Sequence, residues 1–174
     1  MSASSLVHNA TNAVLKVLAP QPLEVAGSDL LDTLGREHDE VKSMLASLSS
    51  ATTAAQRRTL VEKIAKALVP HSVAEGKVLY AGLAAVRDTD TQVDAQEGFV
   101  EHDLVAKTVT KLRGIESATS PEHKATAKVL RELVEHHIKE EESSVWRDAR
   151  KHFSDEQRQK MNTSYLAAKK RIKA

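Results

Sequence analysis

The sequence predicts an all-α protein: an up-down antiparallel four-helix bundle with additional N-terminal and C-terminal helices. Three observations predict it. Strand-like alternation of β-branched residues is absent, and Gly and Pro number only 6 and 4 in 174 residues. Apolar residues recur at intervals of three and four through four long segments, the spacing that lines one face of a helix. The breaks between those segments are short, which makes sequential helices antiparallel neighbours.

The elements follow in order. A helical piece over about 3–18 is set off by "PQP" at 20–22, so residues 1–22 form an N-terminal segment and 23–174 the bundle with its C-terminal helix. Ser28 or Asp29 caps the first long helix, whose stripe is Leu31, Leu34, Val41, Leu45 and Leu48. "SSATT" (49–53) ends it. The second helix runs over about 54–86 with Leu60, Ile64, Leu68, Val78 and Leu79 inward, and Pro70 is expected to bend it. After "RDTDT" (87–91) the third carries Phe99, Val105, Val109 and Leu112. "SATSPEH" (117–123) is a loop with Pro121 suited to a first helical turn. The fourth presents Leu130, Leu133, Val134, Ile138 and Val145. Ser154 with Gln157 forms a capping-box pattern for a last helix over about 155–172.

Composition bounds the function. Apolar residues are 41% and charged residues 28%, an ordinary globular balance, and the formal net charge is +1. With no strong basic field, nucleic acid is not expected as a partner, and the basic "KKRIK" (169–173) reads as a solvated helix end. There is no cysteine, which excludes disulfides, thiolate zinc sites and iron–sulfur ligation by this chain. The first residues lack the pattern of a signal peptide, and no run is apolar enough to span a membrane. The expected location is cytoplasmic, with no membrane partner. A protein partner is not specified by any feature of the chain.

Histidine is the unusual residue, with 8 in the chain. His38 falls in the phase of the first stripe, His71 and Glu75 in the second, His102 in the third, and His137 and Glu141 in the fourth. His136 points about 100° away from His137, so His136, Glu140 and Glu142 read as flank or surface, with Glu140 a candidate partner behind the site. Midway between each successive pair of these histidines lies one of the three breaks, which sets all four at one level of an up-down bundle. His8, His123 and His152 have no partner in core phase and read as surface. Tyr80 and Trp146 read as core or rim packing.

Four imidazoles and two carboxylates in one buried layer would cost several kcal/mol unpaired, and a cation relieves that cost. Imidazole with carboxylate and no thiolate suits iron, manganese or zinc. Two carboxylates bridging two metals, two histidines ending each and one solvent-derived oxo or hydroxo bridge leave each metal an open position. The His-x-x-x-Glu order differs from the Glu-x-x-His of the ferritin-like di-iron proteins.

"REHDEV", "HSVAEGKVLY", "EHDLVAK" and "HHIKEEES" resemble the successive ligand segments of the hemerythrin-like HHE cation-binding family, over about 28–153. The resemblance implies a four-helix bundle with a non-haem di-iron site, Fe2+ or Fe3+, with manganese or zinc as alternatives. It implies His38, His71, His102 and His137 as terminal ligands and Glu75 and Glu141 as bridging carboxylates, as in bacterial four-His, two-Glu members that include iron–sulfur cluster repair proteins. Ala106 stands where respiratory hemerythrins carry a further histidine, Glu142 holds the spacing of their final Asp, and Gly76 and Ala81 replace a common Glu and Pro. The expected function is binding or sensing of O2, peroxide or nitric oxide at a buried dimetal site. The alternatives are a di-iron peroxidase- or catalase-like or iron-donating repair enzyme, and a helical module with a structural metal. No separate acid–base constellation names a catalytic residue.

Overall fold

The computed structural model describes residues 28–172, and within them the chain forms five helices and no strand. These are α1 (Leu30–Ser50) and α2, which runs as Ala54–Glu75, a π-helical turn Gly76–Tyr80 and Ala81–Ala84. α3 (Thr89–Gly114) follows. α4 runs as Pro121–Glu140, a second π-helical turn Glu141–Val145 and Trp146–His152, and α5 is Asp155–Lys169. The expected helix over about 3–18, and His8 with it, lies outside the described residues.

Each start is fixed by a side chain that satisfies an otherwise orphaned backbone N–H. Asp29 caps α1, its Oδ1 accepting from Leu31 N at 2.9 Å. Thr53 and Gln56 form a capping box on α2, as Ser154 and Gln157 do on α5. Asp88 caps α3 and Ser120 caps α4, with Pro121 in its first turn. Pro70 lies within α2, and the helix continues through it without a break.

α1, α2, α3 and α4 each pack against the next, and α4 closes back on α1. Their buried side chains fall into two apolar clusters. One holds Val41, Leu45, Ile64, Leu68, Val109 and Leu130 among others. The second holds Leu30, Leu34, Leu79, Leu83, Val145 and Ala149 among others. On every one of the four helices the candidate ligands lie in sequence where one cluster gives way to the other. α5 packs on α1 and α2. It is clamped there by Arg158, whose Nε donates to Asp29 Oδ2 at 2.8 Å, and by Asn162, which donates to the Ser28 carbonyl at 3.0 Å.

Three surface readings are corrected. His123 is buried at 2% exposure, because it sits in the first turn of α4 against Arg57, whose Nε donates to its Nδ1 at 3.3 Å. Its apolar-stripe phase is irrelevant at a helix start, where a side chain can turn in over the bundle end. Lys169 is no freely solvated end either: its Nζ lies 2.6 Å from Glu37 Oε2. His152 is half-buried, its Nε2 3.3 Å from Thr91 Oγ1.

Candidate metal centre

The six side chains singled out in the sequence come together in one layer. His38, His71, Glu75, His102, His137 and Glu141 are all buried or nearly so, and Glu75 and Glu141 are 0% and 1% exposed. The geometry interleaves them. Glu75 Oε2 lies 3.3 Å from His71 Nε2 and 3.2 Å from His102 Nε2. Glu141 Oε2 lies 3.4 Å from His38 Nε2 and 3.3 Å from His137 Nε2. Two three-residue groups result, His38 with His71 and Glu141, and Glu75 with His102 and His137, each with ligand atoms close enough to share one ion. Each carboxylate belongs to one group and touches a histidine of the other.

The outer face of the layer is equally ordered. His38 Nδ1 lies 3.0 Å from Glu142 Oε1, His71 Nδ1 3.0 Å from Glu37 Oε2, and His137 Nδ1 2.7 Å from Glu101 Oε2. A carboxylate behind Nδ1 holds the proton there and turns the Nε2 lone pair inward, the arrangement found behind metal-ligating histidines. Each of these carboxylates comes from a helix other than its histidine's. Glu37 also accepts from the Tyr165 hydroxyl at 2.6 Å, so α5 reaches the site from outside the four-helix ring.

Sequence phase did not identify Glu37, Glu101 or Tyr165, and it assigned Glu142 to the flank. Glu142 is half-buried and serves His38. The available signal was the repeated "EH" of residues 37–38 and 101–102: a glutamate one residue out of core phase is long enough to reach the neighbouring helix. His136 is exposed, as expected, and shares Glu101 with His137 at 3.2 Å. Glu140 lies beside His136 at 3.5 Å, not behind the buried layer. Trp146 stacks on His38 with an interplanar angle of 15° and donates from Nε1 to Glu141 Oε1 at 3.3 Å.

The electrostatics are those of anions seeking cations. Burial pulls the His71 imidazole down, but Glu75 and Glu37 outweigh it and push it up to about 10. His137 is likewise held at about 10, with Glu101 and Glu141 overcoming burial. Burial raises Glu37, yet His71 and Lys169 bring it to about 2. Burial raises the Tyr80 phenol, and Glu141, Glu75 and Glu101 raise it further.

The donor set fits a metal on observations of its own. His38 Nε2, both oxygens of Glu75 and Glu141 Oε2 are buried without a hydrogen-bond partner. His102 Nε2 and His137 Nε2 face each other at 3.1 Å, an arrangement that two lone pairs tolerate only with a proton or a cation between them. Buried carboxylates and imidazoles left in this state are costly, and cations satisfy all of them together. Below the imidazoles is a void of about 10 Å³. It shares Leu68, Ser72, His102 and Val105 with an apolar cavity of about 300 Å³ between α2 and α3.

Among the comparisons with known proteins, the family model agrees with cation binding. The family model described as the hemerythrin HHE cation binding domain matches residues 29–149. A protein named DNA nickase, from Nostoc sp. (strain PCC 7120 / SAG 25.82 / UTEX 2576), is 27% identical over 144 residues, which cover 83% of this chain. The match spans only 40% of that relative's length. No solved structure matches the chain significantly. Among the described residues, no helix is long and apolar enough to cross a membrane.

Proposed function

The chain belongs to the hemerythrin HHE cation binding domain family, and on that premise we propose that it holds two iron ions and binds O2, peroxide or nitric oxide at them. His38 and His71 end one ion, His102 and His137 the other, and Glu75 and Glu141 bridge the pair. The carrying observation is the interleaving of the carboxylates, each facing one histidine of either group at 3.2–3.4 Å. The order in which the four helices pass between the two apolar clusters supports the up-down path that this ligand set requires.

Iron so held supplies open coordination and one-electron steps between its ferrous and ferric states. The chain's own residues do the rest. Glu142, Glu37 and Glu101 orient the imidazoles from behind. Glu75 and Glu141 balance the cationic charge. The apolar cavity of about 300 Å³ offers a small uncharged molecule a path toward the layer through the Leu68, Ser72, His102 and Val105 that it shares with the void beneath the imidazoles.

The test is the visible spectrum of the reduced, iron-loaded protein on addition of each of the three ligands. A reversible or stoichiometric change with at least one is expected, and no change with any would overturn the proposal. Sustained peroxide turnover lost in His71→Ala would replace binding with a peroxidase- or catalase-like activity. The DNA chemistry in the relative's name is not carried over to this chain, whose net charge is +1. Supercoiled plasmid is expected to survive incubation with the iron-loaded protein, and metal-dependent nicking would contradict this.

A further inference from the structure

Among the described residues, six buried side-chain atoms have no hydrogen-bond partner. Four belong to the ligands just named, and one, Asn162 Oδ1, lies on α5. The sixth is the hydroxyl oxygen of Tyr80, which is 0% exposed. Its ring centroid stands 5.4 Å from that of His102 and 6.5 Å from that of His137. The ring that carries the orphaned oxygen therefore packs beside two of the ligand imidazoles, and the oxygen shares the condition of the orphaned ligand atoms. The chain's other tyrosine is its control. Tyr165 is equally buried and equally near a histidine, yet its hydroxyl is satisfied by Glu37 at 2.6 Å.

Two backbone features put Tyr80 there. From Glu75, five residues of regular α-helix would turn a side chain about 140° off Glu75's face. The π-helical turn Gly76–Tyr80, closed by the Ala81 N–H on the Gly76 carbonyl, brings the fifth residue back toward that face. On α3, Gly98 leaves the space the ring fills: a Cβ there would lie 2.4 Å from Tyr80 Cε1 and Cζ and 2.8 Å from the hydroxyl oxygen. A buried hydroxyl is ordinarily hydrogen-bonded. Nothing in apolar packing calls for one here, where a phenylalanine would pack equally well.

We propose that Tyr80 is a seventh protein ligand, its phenol oxygen binding the ion held by Glu75, His102 and His137. The inference rests on the dimetal reading above. On metal uptake the O–H bond breaks, the proton leaves to solvent, and the oxygen lone pair forms the bond to the ion, with no change of oxidation state. The two ions are then unlike: one carries an added anionic oxygen, and the open position belongs to the ion of His38 and His71.

The test uses the full chain purified with ferric iron, with metal content measured before any spectrum. With two irons bound, excitation in the visible region is expected to enhance tyrosinate ring vibrations in the resonance Raman spectrum. These should shift when the protein is made with ring-deuterated tyrosine. They should persist in Tyr165→Phe, where Tyr80 is the only tyrosine left, and vanish in Tyr80→Phe with both irons retained. Gly98→Ala should weaken them by displacing the ring. Two irons without tyrosinate modes in the wild type would overturn the proposal, and needs no variant to fold. So would modes that survive Tyr80→Phe. Failure to bind two irons at all would overturn the dimetal reading, and this ligand with it.

Discussion

Glu37 carries more of the site than its place outside the core phase suggests. Its Oε2 receives His71 Nδ1, the Tyr165 hydroxyl and Lys169 Nζ. Removing its charge weakens the hydrogen bond that orients His71 and the ion pair with Lys169, and such losses weaken metal binding about 10- to 100-fold. Glu37→Gln is therefore expected to keep the fold and to lose metal to a competing chelator at about a tenth or less of the wild-type chelator concentration. Equal retention would show that Glu37 serves only to dock α5. The six inward residues were legible in the sequence because each occupies an apolar stripe at helical spacing. Glu37, Glu101 and Glu142 were not, because periodicity assigns one direction to a residue while a glutamate side chain covers a whole sector. His123 was missed for a related reason: at the first turn of α4 no stripe exists yet to give it a phase.

At the scale of elements, the two π-helical turns are the least expected part of the fold. One begins directly after Glu75 and the other at Glu141, so each follows a His-x-x-x-Glu step. Such turns insert one residue into an α-helix and occur often at functional sites. Deleting Lys77 should return α2 to regular α geometry while keeping Tyr80 and Leu83 on the second apolar cluster, because Tyr80 then stands four residues after Glu75, about 40° from its face. The expected result is a folded, metal-binding protein with its helical circular-dichroism signal retained, whereas a sharply lower melting temperature together with loss of metal would mean that the π geometry itself holds the layer. Propensity offers no warning of these turns, because the shift from i→i−4 to i→i−5 bonding leaves no local residue preference to read. Helix starts, by contrast, are written locally: Asp29, Thr53, Asp88, Ser120 and Ser154 each cap where the sequence offers a cap. Thr53→Ala should cost about 1 kcal/mol in urea unfolding without touching the site.

For the whole molecule, metal and proton compete for the same buried layer. Without metal, His71 and His137 are held charged up to about 10, above the ordinary 6.5 of an unfolded histidine. A folded value raised in this way stabilises fully below the unfolded value, and the benefit is lost as pH rises through the folded one. The metal-free protein should thus melt at lower temperature at pH 10 than at pH 6. The metal-loaded protein should lack this loss, because its imidazoles carry no proton on Nε2. Rising pH should tighten metal binding by up to about a hundredfold per pH unit while two imidazoliums lose protons. Flat melting of the metal-free protein over that range would contradict the charged layer.

The central claim is that six side chains on four helices hold a pair of irons. It is tested most directly by measuring metal content and the visible spectrum of the protein purified in air. Two irons per chain, with the charge-transfer absorption of a bridged ferric pair, is the result expected. A single closed zinc, or no metal and no absorption, would contradict the account and leave the layer a structural one.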